Sequence, residues 1–156
     1  ELAREGFGPS AILEIISRRL HEMFRDFDLF VTIVALEFDP RRSEWRAAVA
    51  GHDPPFLMRA DGQVEELLER GTAAGILPDE HYQDMRRPAR AGDQVFLASD
   101  GLIPDGLPGP DIGQLLRTAV HRPLTETLEA VVKDLQRRLP PKYRDDTTGV
   151  LIRLVD

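Results

Sequence analysis

The stretch from Leu29 to Ala50 constrains the fold most strongly. Its first half, Leu-Phe-Val-Thr-Ile-Val-Ala-Leu-Glu-Phe over 29–38, is β-branched and aromatic, the composition of a half-buried pleated surface. Asp39-Pro40-Arg41-Arg42-Ser43 is turn chemistry, with an Asx side chain to bond the backbone ahead of it and a proline to fix φ. Glu44 to Ala50 reads as the returning strand, with Trp45, Ala47 and Val49 alternating against Glu44, Arg46 and Ala48. Two strands across a short polar loop predict an antiparallel hairpin. Residues 9–25 supply a cover for one of its faces. Pro9 suits the first helical position, and Ile12, Leu13, Ile16, Leu20, Met23 and Phe24 recur at steps of three and four. Arg18, Arg19, Glu22 and Arg25 fall mostly on the opposite side.

Downstream, Gly51-His52-Asp53-Pro54-Pro55 breaks the pattern. Short strands are expected at Phe56–Arg59 and Gln63–Leu67 around an Ala60-Asp61-Gly62 turn. Residues 71–80 read as loop, Tyr82–Pro88 as an edge strand, and Ala91-Gly92-Asp93 as a tight turn. Gln94–Ala98 is a buried strand ending in Ser99-Asp100-Gly101. Residues 102–110 are rich in Gly and Pro and read as loop; a helix follows over 111–119 with Asp111 near its N-cap. Pro123 opens another helix carrying Leu124, Leu128, Val131, Val132, Leu135 and Leu139, which Pro140-Pro141 ends. Thr148–Val155 is the last strand. Neighbouring strands and grouped helices predict an α+β fold in a single domain over 1–156.

Composition removes several classes of function. There is no cysteine, which excludes disulfide scaffolds, thiolate nucleophiles and Cys-ligated metals. The net charge of −7 disfavours a nucleic-acid backbone as partner. No apolar run approaches the roughly 20 residues that cross a bilayer, and the first residues lack the order of a signal peptide. The expectation is a soluble cytoplasmic protein without nucleic-acid or membrane partners. His21, His52, His81 and His121 are scattered, with no H-E-x-x-H, and there is no G-x-S-x-G elbow or glycine-rich phosphate loop.

Carboxylates remain. Asp100 follows an apolar strand and precedes a glycine, so it either caps a turn or serves as a ligand at a rigid sheet edge. Asp145-Asp146 stands at the entrance to the final strand, either as a solvated start or as a repelling pair that favours a bound cation. Hard divalent ions such as magnesium and manganese take such oxygen ligands.

Five pieces fall in one order over nearly the whole chain. They are Ala50-Gly51-His52-Asp53-Pro54-Pro55, then Phe56-Leu57-Met58-Arg59-Ala60-Asp61-Gly62, then Gly75-Ile76-Leu77-Pro78, then Gly92 through Gly101, and finally Asp145-Asp146-Thr147-Thr148-Gly149-Val150. That order resembles the SpoIIE/RsbU branch of the metal-dependent PPM (protein phosphatase 2C-like) serine/threonine phosphatases. The resemblance implies an antiparallel β-sandwich flanked by helices, with a pair of Mn2+ or Mg2+ ions at one end holding the water that attacks a phosphoserine or phosphothreonine. It implies that Asp100 and Asp145 are the catalytic metal ligands, with Asp146 a metal-ligand candidate that fits the role less well than Asp145. The implied substrate is a phosphorylated anti-sigma-factor antagonist, and the implied regulator is an upstream sensor or receiver domain; a homodimer is left open.

The chain departs from the family pattern as well. The Gly-Asp-x-x-Asp strand motif and the Asp-x-x-Gly-His-Gly loop, which supply the aspartate bridging both metals, do not occur in it. Glu1 stands roughly where the chain would run after that loop, so the domain is expected to be incomplete at its N-terminus and these residues alone to be inactive. The alternative is a non-catalytic phosphatase-like module, of the kind found on response-regulator (RssB-like) adaptors, that binds a sigma factor or its regulators.

Overall fold

The structure, a computed structural model, describes residues 2–27, 29–67, 70–102, 112–138 and 146–155. Its elements run α1 (Pro9–Phe24), β1 (Ile33–Asp39), β2 (Glu44–Ala50), β3 (Phe56–Met58), β4 (Val64–Glu66), β5 (Met85–Pro88), β6 (Gln94–Ala98), α2 (Ile112–Ala119), α3 (Leu124–Arg138) and β7 (Gly149–Arg153). They divide into two compact units, Glu1–Pro54 with Leu68–Ala89 and Pro55–Leu67 with Arg90–Asp156. Each unit holds one antiparallel sheet and its helices.

The first unit is built on the predicted hairpin. β1 and β2 pair from Ile33↔Ala50 to Asp39↔Glu44, and β5 adds to the other side of β2 through Ala47↔Met85 and Trp45↔Arg87. Asp39 Oδ1 accepts from the amides of Arg41 and Arg42, the side-chain turn expected of that residue. Phe38 and Trp45 face each other across the hairpin with ring centroids 5.3 Å apart.

Two expectations need correction. β1 begins at Ile33, not at Leu29; Val31 instead makes an isolated bridge to Ala74, and Leu29 and Phe30 stay exposed. Their composition suits a strand, but no strand lies beside them among the described residues. Ala48 shares a face with Glu44 and Arg46, but at its position that face does not point outward. It is fully buried and clusters with Ala50, Ala74, Tyr82 and Leu13 of α1. The methyl side chains of these alanines let the helix lie close on the sheet, and Leu13 fills the space they leave.

The second unit has strand order β4-β3-β6-β7. Phe56 pairs with Phe96, and Phe96 with Leu151. α2 and α3 cover this sheet, with Met58, Phe96, Leu102, Leu116, Val131 and Leu135 forming one buried cluster. β4 is shorter than the expected strand over 63–67, and the helix-ending Pro140-Pro141 and the predicted N-cap Asp111 lie outside the described residues. The turn before β6 is held by Asp93, fully buried, which accepts from Arg59 Nη1 at 2.9 Å and from the amides of Ala60 and Arg90.

Candidate active site

Asp100 and Asp146, two of the carboxylates singled out in the sequence, sit just after β6 ends and just before β7 begins. These strands are antiparallel neighbours, with Ala98 opposite Gly149. Pairing continues one step beyond the strands. The Ser99 amide donates to Thr148 O at 2.9 Å, and the Thr148 amide donates to Ser99 Oγ at 2.9 Å. Ser99 Oγ also donates to Asp146 O at 3.4 Å. Asp100 and Asp146 therefore leave one end of the sheet on adjacent strands, separated by a clamped pair of backbones.

Asp100 is exposed and takes the first of the two roles open to it in the sequence, the turn. Its Oδ1 accepts from the Gly101 amide at 2.9 Å, while the Leu102 amide closes onto Ser99 O at 2.9 Å. This is a tight turn with a carboxylate at its tip. Leu102, 1% exposed, anchors the turn in the core below. On the facing strand the space is equally close, since a Cβ on Gly149 would lie 3.4 Å from both Leu128 and Val132. The scaffold beneath the two acids is therefore packed on both strands, as a site needing fixed geometry requires.

Asp146 is exposed; Asp145 lies outside the described residues. Among the described residues no group of three or more His, Cys, Asp and Glu side chains is gathered to hold a metal ion. Among the described residues the ionisable donors at this sheet end are the carboxylates of Asp100 and Asp146. That donor chemistry suits magnesium- or manganese-class ions as part of a larger ligand shell, and it does not suit zinc or copper.

The other candidates are engaged locally. His52 Nδ1 lies 2.8 Å from Asp53 O, and Asp53 forms an ion pair with Arg70. His21 Nδ1 lies 3.1 Å from Gly75 O, joining α1 to the loop beyond, and His81 sits 3.2 Å from Glu14. Tyr82 donates to Ser17 Oγ at 3.1 Å inside the first unit, where burial pushes its phenol above the usual 10.0. Ser99 is the residue that sequence reasoning missed. Serine was considered only as a nucleophile, whereas here its side chain joins two strand ends. The one available signal was its place in Ser99-Asp100-Gly101, directly before the candidate ligand.

Comparison with known proteins places this geometry in context. The family described as stage II sporulation protein E (SpoIIE) matches residues 1–155. The chain is 25% identical over 158 aligned residues to the phosphoserine phosphatase RsbU of Bacillus subtilis (strain 168), covering 97% of this chain and 47% of that protein. It thus spans about half the length of this curated relative. Among solved structures, the RsbU and RsbW domains of Rv1364c from Mycobacterium tuberculosis superpose with a TM-score of 0.75 at 20% identity, over 99% of this chain and 44% of that one. The phosphatase domain of SpoIIE from Bacillus subtilis, presoaked in Mn, gives a TM-score of 0.67 at 17% identity, over 92% and 66%. The expected α+β architecture with antiparallel sheets and flanking helices is thus shared with phosphatase domains of this fold.

Proposed function

The chain belongs to the stage II sporulation protein E (SpoIIE) family, and on that premise we propose that it forms part of a metal-dependent PPM-type phosphatase acting on phosphoserine or phosphothreonine in a protein. The observation that carries this reading is the placement of Asp100 and Asp146 on adjacent strand ends joined through Ser99 and Thr148.

Asp100, Asp145 and Asp146 would contribute to holding Mn2+ or Mg2+, with Asp100 and Asp145 as the principal ligands. When bound, such ions supply a water of lowered pKa and offset charge on the phosphoryl oxygens. The chain's own part is positional. The Asp100 carboxylate is aimed by its bond from the Gly101 amide, and the Ser99–Thr148 clamp keeps the two strand ends from separating. Carboxylates held in this way need little rearrangement to receive a cation, which is how a rigid sheet end favours hard-ion binding.

A bridging ligand is still required. Neither Gly-Asp-x-x-Asp nor Asp-x-x-Gly-His-Gly occurs in these 156 residues, so on their own they are expected to bind manganese weakly and to turn over little substrate. The second reading is a phosphatase-like module that binds a sigma factor or its regulators without catalysis, and absence of both motifs from the full-length protein would favour it. The substrate we favour is a phosphorylated anti-sigma-factor antagonist, with an upstream sensor or receiver domain as regulator. This is supported by the likeness to a phosphoserine phosphatase and to an RsbU domain that shares a chain with an RsbW domain. Among the described residues no helix is long and apolar enough to cross a membrane, and a cytoplasmic setting fits such a substrate. The test is phosphate release by the full-length protein from a phosphorylated antagonist in manganese, compared with its Asp100→Asn variant.

A further inference from the structure

The turn that joins α2 to α3 is fixed from three sides. Gln94 Nε2 donates to Val120 O at 2.7 Å, the buried Thr127 hydroxyl donates to Ala119 O at 3.0 Å, and Arg153 Nη2 donates to Arg122 O at 2.7 Å. Beside this turn a cavity of about 280 Å³ opens between the two helices. Leu115, Ala119 and Ala130 give it an apolar floor, and Arg122, Lys133 and Arg137 give it a cationic rim. The one acid in the lining, Asp134, is already engaged by Arg138 at 2.6 Å. Among the described residues no acidic side chain pairs with Arg122, Lys133 or Arg137.

We propose that this groove is a docking site for an acidic segment of a partner protein, in which carboxylates meet Arg122, Lys133 and Arg137 and an aliphatic side chain enters between them. Charge complementarity carries the assignment. The chain as a whole bears −7, yet three cations without acidic partners converge on one cavity. A nucleic acid fits less well, because the floor is aliphatic, with no aromatic ring on which a base could stack. The turn adds preorganisation. Arg122 leaves a backbone already bonded to Arg153 and Thr127, so less freedom is lost when its guanidinium is engaged. Lys133 and Arg137 stand four positions apart on α3 and so share one face of that helix.

The experiment follows the anisotropy of a labelled peptide rich in Asp, Glu and Leu as the full chain is titrated at low salt. The expected result is saturable binding that weakens as salt is raised and falls at least about tenfold in an Arg122→Glu, Lys133→Glu variant, with Arg137→Gln costing a few-fold. All three cations are exposed, so the variants should keep the wild-type melting temperature, and that is measured alongside. The proposal is overturned by a wild-type chain that does not bind the peptide, by a charge-reversed variant that binds it equally well, or by tighter binding of a single-stranded RNA of equal charge.

Discussion

Ser99 and Thr148 are joined twice, Ser99 N to Thr148 O and Thr148 N to Ser99 Oγ, each at 2.9 Å. The second bond uses a side chain to extend a ladder whose backbone pairing has ended, and it fixes the spacing of the two strand ends that carry Asp100 and Asp146. In the full-length protein, Ser99→Ala removes both bonds of the hydroxyl, that from the Thr148 amide and the longer one to Asp146 O, at a cost of about 1 kcal/mol. The manganese concentration for half-maximal activity should then rise several-fold while kcat changes little and the melting temperature falls by only about 2–4 °C. Ser99→Thr, which keeps the hydroxyl, should restore the wild-type requirement. An unchanged manganese requirement in the alanine variant would remove Ser99 from this role.

Asp93 is the most heavily engaged buried carboxylate among the described residues, holding Arg59, Ala60 and Arg90 at once. Asp93→Ala leaves the largely buried Arg59 guanidinium without this partner and frees two amides. A loss of about 3 kcal/mol is expected in urea unfolding, seen as a lower midpoint at constant slope. Asp93→Asn, which retains acceptor oxygen, should cost clearly less.

Gly51 has φ +69°, and a Cβ added there would lie 2.6 Å from the Cα and Cβ of Ala73. The neighbour is backbone and cannot swing aside. Gly51→Ala combines a left-handed conformation with an overlap, so about 2 to 4 kcal/mol of destabilisation is expected from the same measurement. A cost below 1 kcal/mol would mean that the 51–55 turn is not held as described.

Tyr82 gives the first unit an alkaline limit. Burial favours its neutral form and raises its ionisation above 10.0; the bond to Ser17 opposes this in part, and the nearby Glu80 and Glu14 carboxylates add to the rise. A raised folded value means that the contribution is fully present below pH 10 and is lost as pH climbs towards the folded ionisation. Melting temperature should therefore fall above that pH in the wild type, and Tyr82→Phe should flatten this part of the decline. Identical slopes in the two proteins would contradict the account.

Much of the fold was legible because local chemistry and tertiary pairing agree. The hairpin from Ile33 to Ala50 had β-branched runs, an Asx turn and an aromatic pair all pointing the same way. Ala48 was misread because alanine carries almost no polarity signal; its burial depends on Leu13 lying above it, which no window around residue 48 contains. Leu29 and Phe30 show the reverse, strand composition without a neighbouring strand. At the candidate site, Asp100 and Asp146 could be picked out by their places at strand ends, but their adjacency could not. It depends on β6 pairing with β7 across α2 and α3, and on a serine hydroxyl whose partner lies 49 positions away.

The central claim is that the Asp100 end of β6 and the acidic entrance to β7 hold the ions of a phosphatase. It is tested most directly by phosphate release from a phosphoserine protein, measured with the full-length protein in manganese and with its Asp100→Asn and Asp145→Asn variants. Asp100 is exposed beyond the end of β6, so the wild-type melting temperature is expected in its variant, and the melting temperature of both variants is measured alongside. The account predicts manganese-dependent release that falls by at least about a hundredfold in either variant, the loss of a group that stabilises charge in the transition state. Full activity in both variants, or no activity in a full-length wild type loaded with manganese, would contradict it.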